Sequence, residues 1–209
     1  MLHKEAVESD TLELLISLQE KEYLKGFRLV GGTALALQIG HRTSVDIDLF
    51  SDFEFDAGQM LENLSADFDF RLFYSAKNTL KGSIGKTQVD ILAHRYPYVS
   101  DPVIIENIAM ASTEDIIAMK LNAISTSGQR VKDFIDIYYL LRQYSLAEMI
   151  GFYKTKYATY NEVNVLKSIT WFEDIDQSAW PVLLHDPKLK WPEIAAKITH
   201  ETQKYLKSV

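Results

Sequence analysis

Two aspartates, Asp46 and Asp48, alternate with apolar residues in the segment 45–50. Such alternation predicts a half-buried strand with both carboxylates on one face, about 7 Å apart, and these apolar side chains on the core side: Val45, Ile47 and Leu49. Two carboxylates this close repel each other unless a cation lies between them. The pair therefore predicts a site for Mg²⁺, or for Mn²⁺ in its place. A solvated edge strand with two exposed acids is the alternative.

Gly31 and Gly32 follow a short apolar strand predicted at 27–30 and precede a helix that Thr33 is expected to cap. Glycine allows a sharp bend and a close backbone approach to a ligand. The helix N-terminus beyond it offers free N–H groups and a positive dipole end to a phosphate. The bend predicts phosphate binding, with a turn needed only for packing as the alternative.

A third acid, Asp90, lies between Val89 and Ile91 in another predicted strand. The two apolar neighbours should face the core, which puts Asp90 on the opposite face. If this strand pairs beside 45–50, three carboxylates converge, as two-metal phosphoryl chemistry requires. An exposed strand acid is the alternative.

Lys120 falls on the apolar stripe of a predicted helix, with Ile117, Leu121 and Ile124 at helical spacing. A buried ammonium group is costly without a partner. A nucleotide phosphate or an active-site acid would supply that partner. The alternative is a side chain that extends past its apolar neighbours to solvent.

Asp133 and Asp136 also lie among apolar residues, three positions apart, which predicts an ion-pair or hydrogen-bond network. Arg42, Arg130 and Lys132 are its candidate partners, and a purely architectural network is the alternative. Arg42 is also a candidate phosphate clamp. Six tyrosines are candidates either for stacking on a base or for the core: Tyr138, Tyr139, Tyr144, Tyr153, Tyr157 and Tyr160.

The elements that must position these residues follow from periodicity and turn signals. Helices are predicted at 5–25, 33–39, 56–64, 112–126 and 131–143, and strands at 27–30, 45–50, 68–75, 79–84 and 87–93. The order predicts an α+β fold with a mixed sheet flanked by helices, followed by a mainly helical C-terminal portion. We expect a core at 1–110 and a helical portion at 111–209 that contributes Lys120, Asp133 and Asp136 to the site.

Three motifs resemble the polymerase-β-type nucleotidyltransferase pattern: Val30-Gly31-Gly32, Asp46-Ile-Asp48-Leu and Val89-Asp90-Ile91. The longer run from Gly31 to Phe50 is closer to the AbiEii/AbiGii-type toxin nucleotidyltransferases. Lys120 within 114–120 and the segment 132–136 resemble the later lysine and acidic motifs of that branch. The resemblance covers residues 28–142, with five short motifs in the expected order.

The resemblance implies a role for each motif. Gly31, Gly32 and Thr33 would cradle a triphosphate, and Asp46 and Asp48 would bind Mg²⁺. Asp90 would be the third acid, although this branch does not always depend on that position. Lys120 would contact the nucleotide, and two acids would complete the floor of the site: Asp133 and Asp136.

The implied activity is transfer of a nucleoside monophosphate from a nucleoside triphosphate to an acceptor hydroxyl. Members of the family act as toxins of toxin–antitoxin or phage-defence systems, and some modify tRNA ends. An RNA or tRNA acceptor and an antitoxin partner are therefore expected. The alternatives are a small-molecule nucleotidyltransferase of the antibiotic-modifying kind and a non-catalytic nucleotide-binding module.

Composition narrows the remaining classes. The chain of 209 residues has no cysteine, which excludes disulfides, thiolate zinc sites and cysteine nucleophiles. A net charge of −7 argues against strong non-specific binding to DNA. The first residues resemble no secretory signal, and no apolar run approaches the roughly 20 residues of a membrane span. We expect a soluble, cytoplasmic protein.

Overall fold

A mixed seven-stranded sheet forms the centre of the computed structural model, which describes residues 1–158 and 161–208. Its strands lie in the order β3-β4-β5-β2-β1-β7-β6, with β2 parallel to β5 and β1 parallel to β7. The remaining neighbours are antiparallel. The bounds are β1 Arg28–Leu29, β2 Ile47–Ser51, β3 Phe70–Ala76, β4 Thr79–Ile84, β5 Thr87–Ala93, β6 Val103–Ile105 and β7 Ile108–Met110.

Helices flank the sheet and make up most of the chain after it. Three occur before or between the strands: α1 Ser9–Gln19, α2 Gly31–Ile39 and α3 Ala57–Asp67. Within the described residues, five follow the last strand: α4 Thr113–Thr126, α5 Val131–Leu140, α6 Leu146–Lys156, α7 Glu162–Ile169 and α8 Trp191–Leu206. The predicted α+β class with a helical C-terminal portion is confirmed.

Local chemistry explains where several helices begin. The side chain of Asp56 accepts a hydrogen bond from the backbone of Gln59 at the start of α3. Ser112 caps α4 in the same way through the backbone N–H of Asp115. Ser145 and Glu148 form a reciprocal capping box at the start of α6.

The core lies where the sheet meets these helices. The side chains of Ile47, Leu49, Val89 and Ile91 are fully buried, as the alternation of β2 and β5 predicts. The central helix α4 packs against α2, α5, α6 and α7. Lys120 on α4 therefore lies between α2 and the C-terminal helices, although the division at residue 110 stays a prediction.

The structure corrects two expectations about these elements and adds one hairpin. The helix predicted at 5–25 is divided: α1 spans only Ser9–Gln19, and 3-10 turns occupy Lys4–Ala6 and Glu22–Leu24. β2 begins only at Ile47, and Val45 is 47% exposed rather than buried, since residue 44 bonds instead to the backbone of Ala6. The β6–β7 hairpin at 103–110 was not predicted at all.

Across the described ranges, 1–158 and 161–208, we find no helix with the length and apolar character that crossing a membrane would require.

Candidate active site

Asp48 and Asp90 lie side by side on adjacent parallel strands. β2 pairs with β5 in the register Asp48↔Asp90, the strand pairing on which the predicted convergence depended. β4 lies on the other side of β5 in the register Lys81↔Asp90, and Lys81 Nζ donates to Asp90 Oδ2 at 2.7 Å. The face shared by these three strands therefore carries two acids and one lysine.

The carboxylate of Asp48 lies against the glycine bend. Gly31 has a φ of +68°, and a Cβ added there would lie 2.7 Å from Asp48 Oδ2. The backbone N–H of Val30 donates to the carbonyl oxygen of Asp48 at 2.9 Å. Because only glycine tolerates both this φ and this contact, the bend and the acid form one unit. α2 begins at this bend, so its first N–H groups start beside Asp48.

The electrostatics of Asp48 favour a bound cation. Burial, followed by the nearby negative charges of Asp90 and Asp46, raises the pKa of Asp48 to about 6. A hard cation would relieve this repulsion, and carboxylate oxygens are the donors it prefers. The donor chemistry of Asp46 and Asp48 therefore fits Mg²⁺.

The third predicted ligand, Asp90, is turned towards Lys81. Within residues 1–158 and 161–208, no three His, Cys, Asp or Glu side chains are arranged to hold a metal ion. The metal set of Asp46, Asp48 and Asp90 consequently stays a prediction.

Thr33 does not cap α2, contrary to expectation. The helix begins at Gly31 with Val30 as its N-cap, which leaves Thr33 buried in the first turn. Its hydroxyl donates to the carbonyl oxygen of Asp46 and contacts Ser44 Oγ at 2.9 Å. Thr33 thus ties the backbone before β2 to the helix and so positions Asp46. A direct contact between Thr33 and triphosphate stays a prediction.

Asp136 is the centre of a fully buried polar network. It accepts hydrogen bonds from Arg42 Nε at 2.6 Å, from Arg42 Nη2 at 2.9 Å and from His41 Nε2 at 2.7 Å. Lys120 Nζ lies 2.7 Å from its second oxygen. Burial opposes ionisation, but Arg42 and Lys120 hold the pKa of Asp136 well below its usual range. The network predicted from the acid spacing is present.

His41 and Arg42 connect this network to the glycine bend. Burial lowers the pKa of His41, so its Nε2–H donates from a neutral ring to Asp136. Arg42 Nη1 donates to the carbonyl oxygen of Thr43, and Arg42 Nη2 lies where a Cβ on Gly32 would approach to 2.5 Å. Arg42 therefore supports the bend from within the protein, and a phosphate contact by Arg42 stays a prediction.

Lys120 joins the network to the open site. It is buried, and its Nζ also donates to Asp133 Oδ1 at 2.5 Å. Burial opposes its charge, but Asp133 and Asp136 raise the pKa of Lys120 above its ordinary value. Lys120 and Asp133 line a cavity with Gly31 and Gly32, whereas Asp136 lies behind them.

Two cavities meet at Asp48. The first, about 210 Å³, contains the glycine bend, Lys120 and Asp133, with Phe50, His94 and Tyr157 among its walls. The second, about 370 Å³, contains Asp46, Asp48, Asp90, Lys81, Gln88, Phe73, Tyr74 and Arg130. Asp48 and Arg130 border both cavities. We call them the glycine cavity and the strand cavity.

Residues that no motif had placed in the site also border these cavities, among them Arg130, Lys81, Phe73 and Tyr74. Arg130 was considered only as a partner of buried acids, yet its side chain is largely exposed and its Nε is 3.8 Å from Asp133 Oδ2. Lys81 could have been found by counting outward from the turn at Gly85, since that register sets Lys81 opposite Asp90. Phe73 and Tyr74 gave no sequence signal beyond aromatic strand residues.

The tyrosine hypothesis applies to one residue in these cavities. Tyr157 borders the glycine cavity, and its hydroxyl lies 3.1 Å from His94 Nε2. Burial, followed by the charge of Lys156, lowers the pKa of His94 to about 4, so its ring is neutral near pH 7. Tyr139 and Tyr153 belong to the core, and Tyr160 lies outside the described residues.

A larger cavity, about 530 Å³, lies at the end of α4 around Gly128, Lys167 and Trp171. It contains none of the predicted site residues, so its size alone gives it no role.

Comparison with known proteins shows which family and which solved structures this chain is similar to. The family model described as nucleotidyl transferase AbiEii toxin, type IV TA system, matches residues 13–102 and 69–206. An uncharacterized protein of Aquifex aeolicus is 29% identical over 205 residues, which cover 95% of this chain and 96% of that protein.

Two solved structures are similar in fold. JHP933 from Helicobacter pylori has a TM-score of 0.55 at 16% identity and covers 97% of this chain and 94% of its own. MenT4, a nucleotidyltransferase toxin from Mycobacterium tuberculosis, has a TM-score of 0.57 at 13% identity and covers 93% and 84%.

Proposed function

Because this chain belongs to the AbiEii family of nucleotidyltransferase toxins, we propose that it transfers a nucleoside monophosphate from a nucleoside triphosphate to an acceptor hydroxyl of RNA. One observation carries the proposal: the crowded Asp48 carboxylate lies against the Gly31 bend and beside Asp90. Acids that share a face with a phosphate-binding bend are what metal-assisted phosphoryl transfer needs.

The glycine cavity would bind the nucleotide. The backbone at Gly31 and Gly32 and the N-terminus of α2 would receive the triphosphate. Lys120, kept protonated by two acids, would add positive charge at the wall of the cavity. Phe50, the neutral His94 and Tyr157 offer ring surfaces for the base. Arg130, which borders both cavities, would neutralise charge at the transferred phosphate.

Mg²⁺ held by Asp46 and Asp48, with Asp90 as the third donor, would neutralise the triphosphate when bound. The acceptor oxygen forms a bond to the α-phosphorus while the bond to the bridging oxygen of pyrophosphate breaks. Asp90 borders the strand cavity and would take the hydroxyl proton. Thr33 and Asp136 act through others, because they hold Asp46, Arg42 and Lys120 in place.

The biological role that fits the family is that of a toxin held in check by an antitoxin. A small-molecule acceptor is the second candidate, and the net charge of −7 favours it, since extensive RNA binding relies on clustered basic residues.

The test is label transfer from each of the four α-labelled triphosphates, with Mg²⁺, to total RNA and separately to pooled small metabolites. The Asp48→Asn variant serves as the inactive control. Label in RNA that depends on Asp48 supports the proposal, label only in metabolites supports the second candidate, and label in neither contradicts both.

A further inference from the structure

The strand cavity has a wall that the chemistry at Asp48 does not explain. Phe73 and Tyr74 are each 54% exposed on β3, the edge strand of the sheet. Exposed neighbouring aromatic side chains on an edge strand are a liability for a protein without a partner for them. Both rings border the cavity that contains the three acids.

A β-bulge places the two rings on the same cavity. Leu72 pairs with Gly82 and Tyr74 with Lys81, so Phe73 is an extra residue on β3. In a regular strand, consecutive side chains point to opposite faces and only one of them could border the cavity. Bulges re-aim side chains in this way and occur next to active sites. The opposite face of β3 and β4 packs against α3.

Register fixes how far these rings lie from the acids. The pairs Tyr74↔Lys81, Lys81↔Asp90 and Asp90↔Asp48 form one row across four strands. Tyr74 is two strands from Asp90, about 10 Å at the usual strand spacing. A terminal nucleoside with its hydroxyl at Asp90 would extend its base along this row towards the rings.

Resting on the proposed function, we infer that the strand cavity is the acceptor site and that Phe73 and Tyr74 stack on the base beside the acceptor hydroxyl. In-line displacement requires the acceptor to approach from the side opposite the leaving pyrophosphate, and the glycine bend assigns the triphosphate to the other cavity. Base–aromatic stacking tolerates any base. Gln88 and Lys81 provide hydrogen-bond donors on the same wall. The acceptor class is therefore a terminal nucleoside rather than a sugar that lacks a nucleobase.

The kinetic test uses the double variant Phe73→Ala/Tyr74→Ala. We expect the KM for a short RNA acceptor to rise by about ten-fold or more, because stacking is lost, while the KM for the triphosphate stays unchanged. Leu72→Ala is the matched control: Leu72 lies on the same strand, is 40% exposed and pairs on the opposite face. An unchanged acceptor KM in the double variant would overturn the inference.

Three acceptors identify the ligand chemistry. RNA with an intact terminal base, the same RNA with an abasic terminal nucleotide, and a free nucleoside are compared on the full chain. If the abasic end raises the acceptor KM as much as the double variant does, stacking is supported. If a free nucleoside is as good an acceptor as RNA, one base suffices. Equal use of the abasic end overturns the inference.

A binding measurement separates this inference from the proposed function. Fluorescence anisotropy of labelled RNA with Asp48→Asn protein, with and without the two alanines, reports stacking without turnover. If the protein with Asp48 intact transfers no label, but the two alanines still weaken RNA binding, the proposed reaction fails and the stacking site stands. If the alanines instead convert a dimer to a monomer in sedimentation and leave RNA binding unchanged, the rings form a protein interface and the inference is overturned.

Discussion

Gly31 combines a backbone requirement with a contact to Asp48, the acid that we propose binds the metal. The φ of +68° costs an L-residue about 1–2 kcal/mol, and a methyl group would press on Asp48 Oδ2. We expect Gly31→Ala to lower the free energy of unfolding in urea by about that amount. Turnover should fall by more than the loss of folded protein explains, because Asp48 must move to admit the methyl group.

Gly151 provides the matched control for Gly31. It lies inside α6, and a Cβ added there would meet no atom within 4 Å. Gly151→Ala should therefore stabilise the protein by about 0.5–1 kcal/mol and leave turnover intact. Equal effects of the two substitutions on activity would show that the bend does not position the acid.

Asp48 makes stability depend on pH in an unusual direction. Its pKa is about 6 in the folded protein and 3.8 in the unfolded chain, so the folded state binds more protons between these values. Stability of the metal-free protein from this group should therefore fall as pH rises from about 4 to about 6.

The substitution Asp48→Asn should abolish turnover and make the metal-free protein more stable at pH 8, by at most about 3 kcal/mol. Urea unfolding of both proteins at pH 4 and pH 8 measures the difference, which should shrink at the lower pH. Full turnover in Asp48→Asn with metal present would contradict the site assignment.

At the scale of elements, Asp136 on α5 connects the loop after α2 to α4. It binds His41, Arg42 and Lys120, and all of these groups are buried. Asp136→Asn leaves Arg42 and Lys120 without their full counter-charge, so we expect a loss of about 3–5 kcal/mol in urea unfolding. Asp186→Asn breaks the exposed pair with Arg142 and should cost less than about 1 kcal/mol. Similar losses would show that the buried network does not hold these elements together.

Periodicity predicted the elements around the site well, and turn chemistry explains the miss. β4 and β5 occur at the predicted residues 79–84 and 87–93, because Gly85 supplies the left-handed turn residue that fixes their register. The β6–β7 hairpin instead turns at Glu106 and Asn107 with φ of 53° and 65°. Glutamate is rare at such angles, so Asn107 was the one local signal of this turn.

The site was predictable in its acids, its bend and its buried cations, Arg42 and Lys120, but not in its exposed cations. Asp48 and Gly31 lie in motifs with a fixed spacing, whereas the ion pair of Asp90 with Lys81 depends on strand register. Arg130 borders both cavities and is the N-cap residue of α5. The helical periodicity of α5 therefore gives no information on where its side chain lies. Exposed cations at element ends give no pattern that sequence reasoning can use.

At the scale of the molecule, the C-terminal helices complete the glycine cavity. Lys156, buried on α6, donates to Asp115 on α4 at 2.7 Å and to the carbonyl oxygen of Pro97 at 3.1 Å. This network holds the next residue, Tyr157, beside His94. The sheet supplies the acids, and the helices supply Lys120 and the far wall, so neither part forms the site alone.

The charge of the whole molecule limits how it can hold an RNA acceptor. The net charge is −7, and the strand cavity offers two cations to phosphates, Lys81 and Arg130. Two phosphate contacts predict a slope of about −1.4 for the logarithm of affinity against the logarithm of salt concentration. The acceptor should therefore be held mainly at its end, through stacking.

Titrations of labelled RNA, followed by anisotropy at salt concentrations from about 50 to about 200 mM, measure this slope. Arg130→Gln should reduce its magnitude by about 0.7, since one phosphate contact is lost, whereas Phe73→Ala/Tyr74→Ala should weaken binding and leave the slope unchanged. A steep slope of about −5 or beyond would mean that many phosphates are bound. RNA recognition would then have to involve a surface other than the strand cavity.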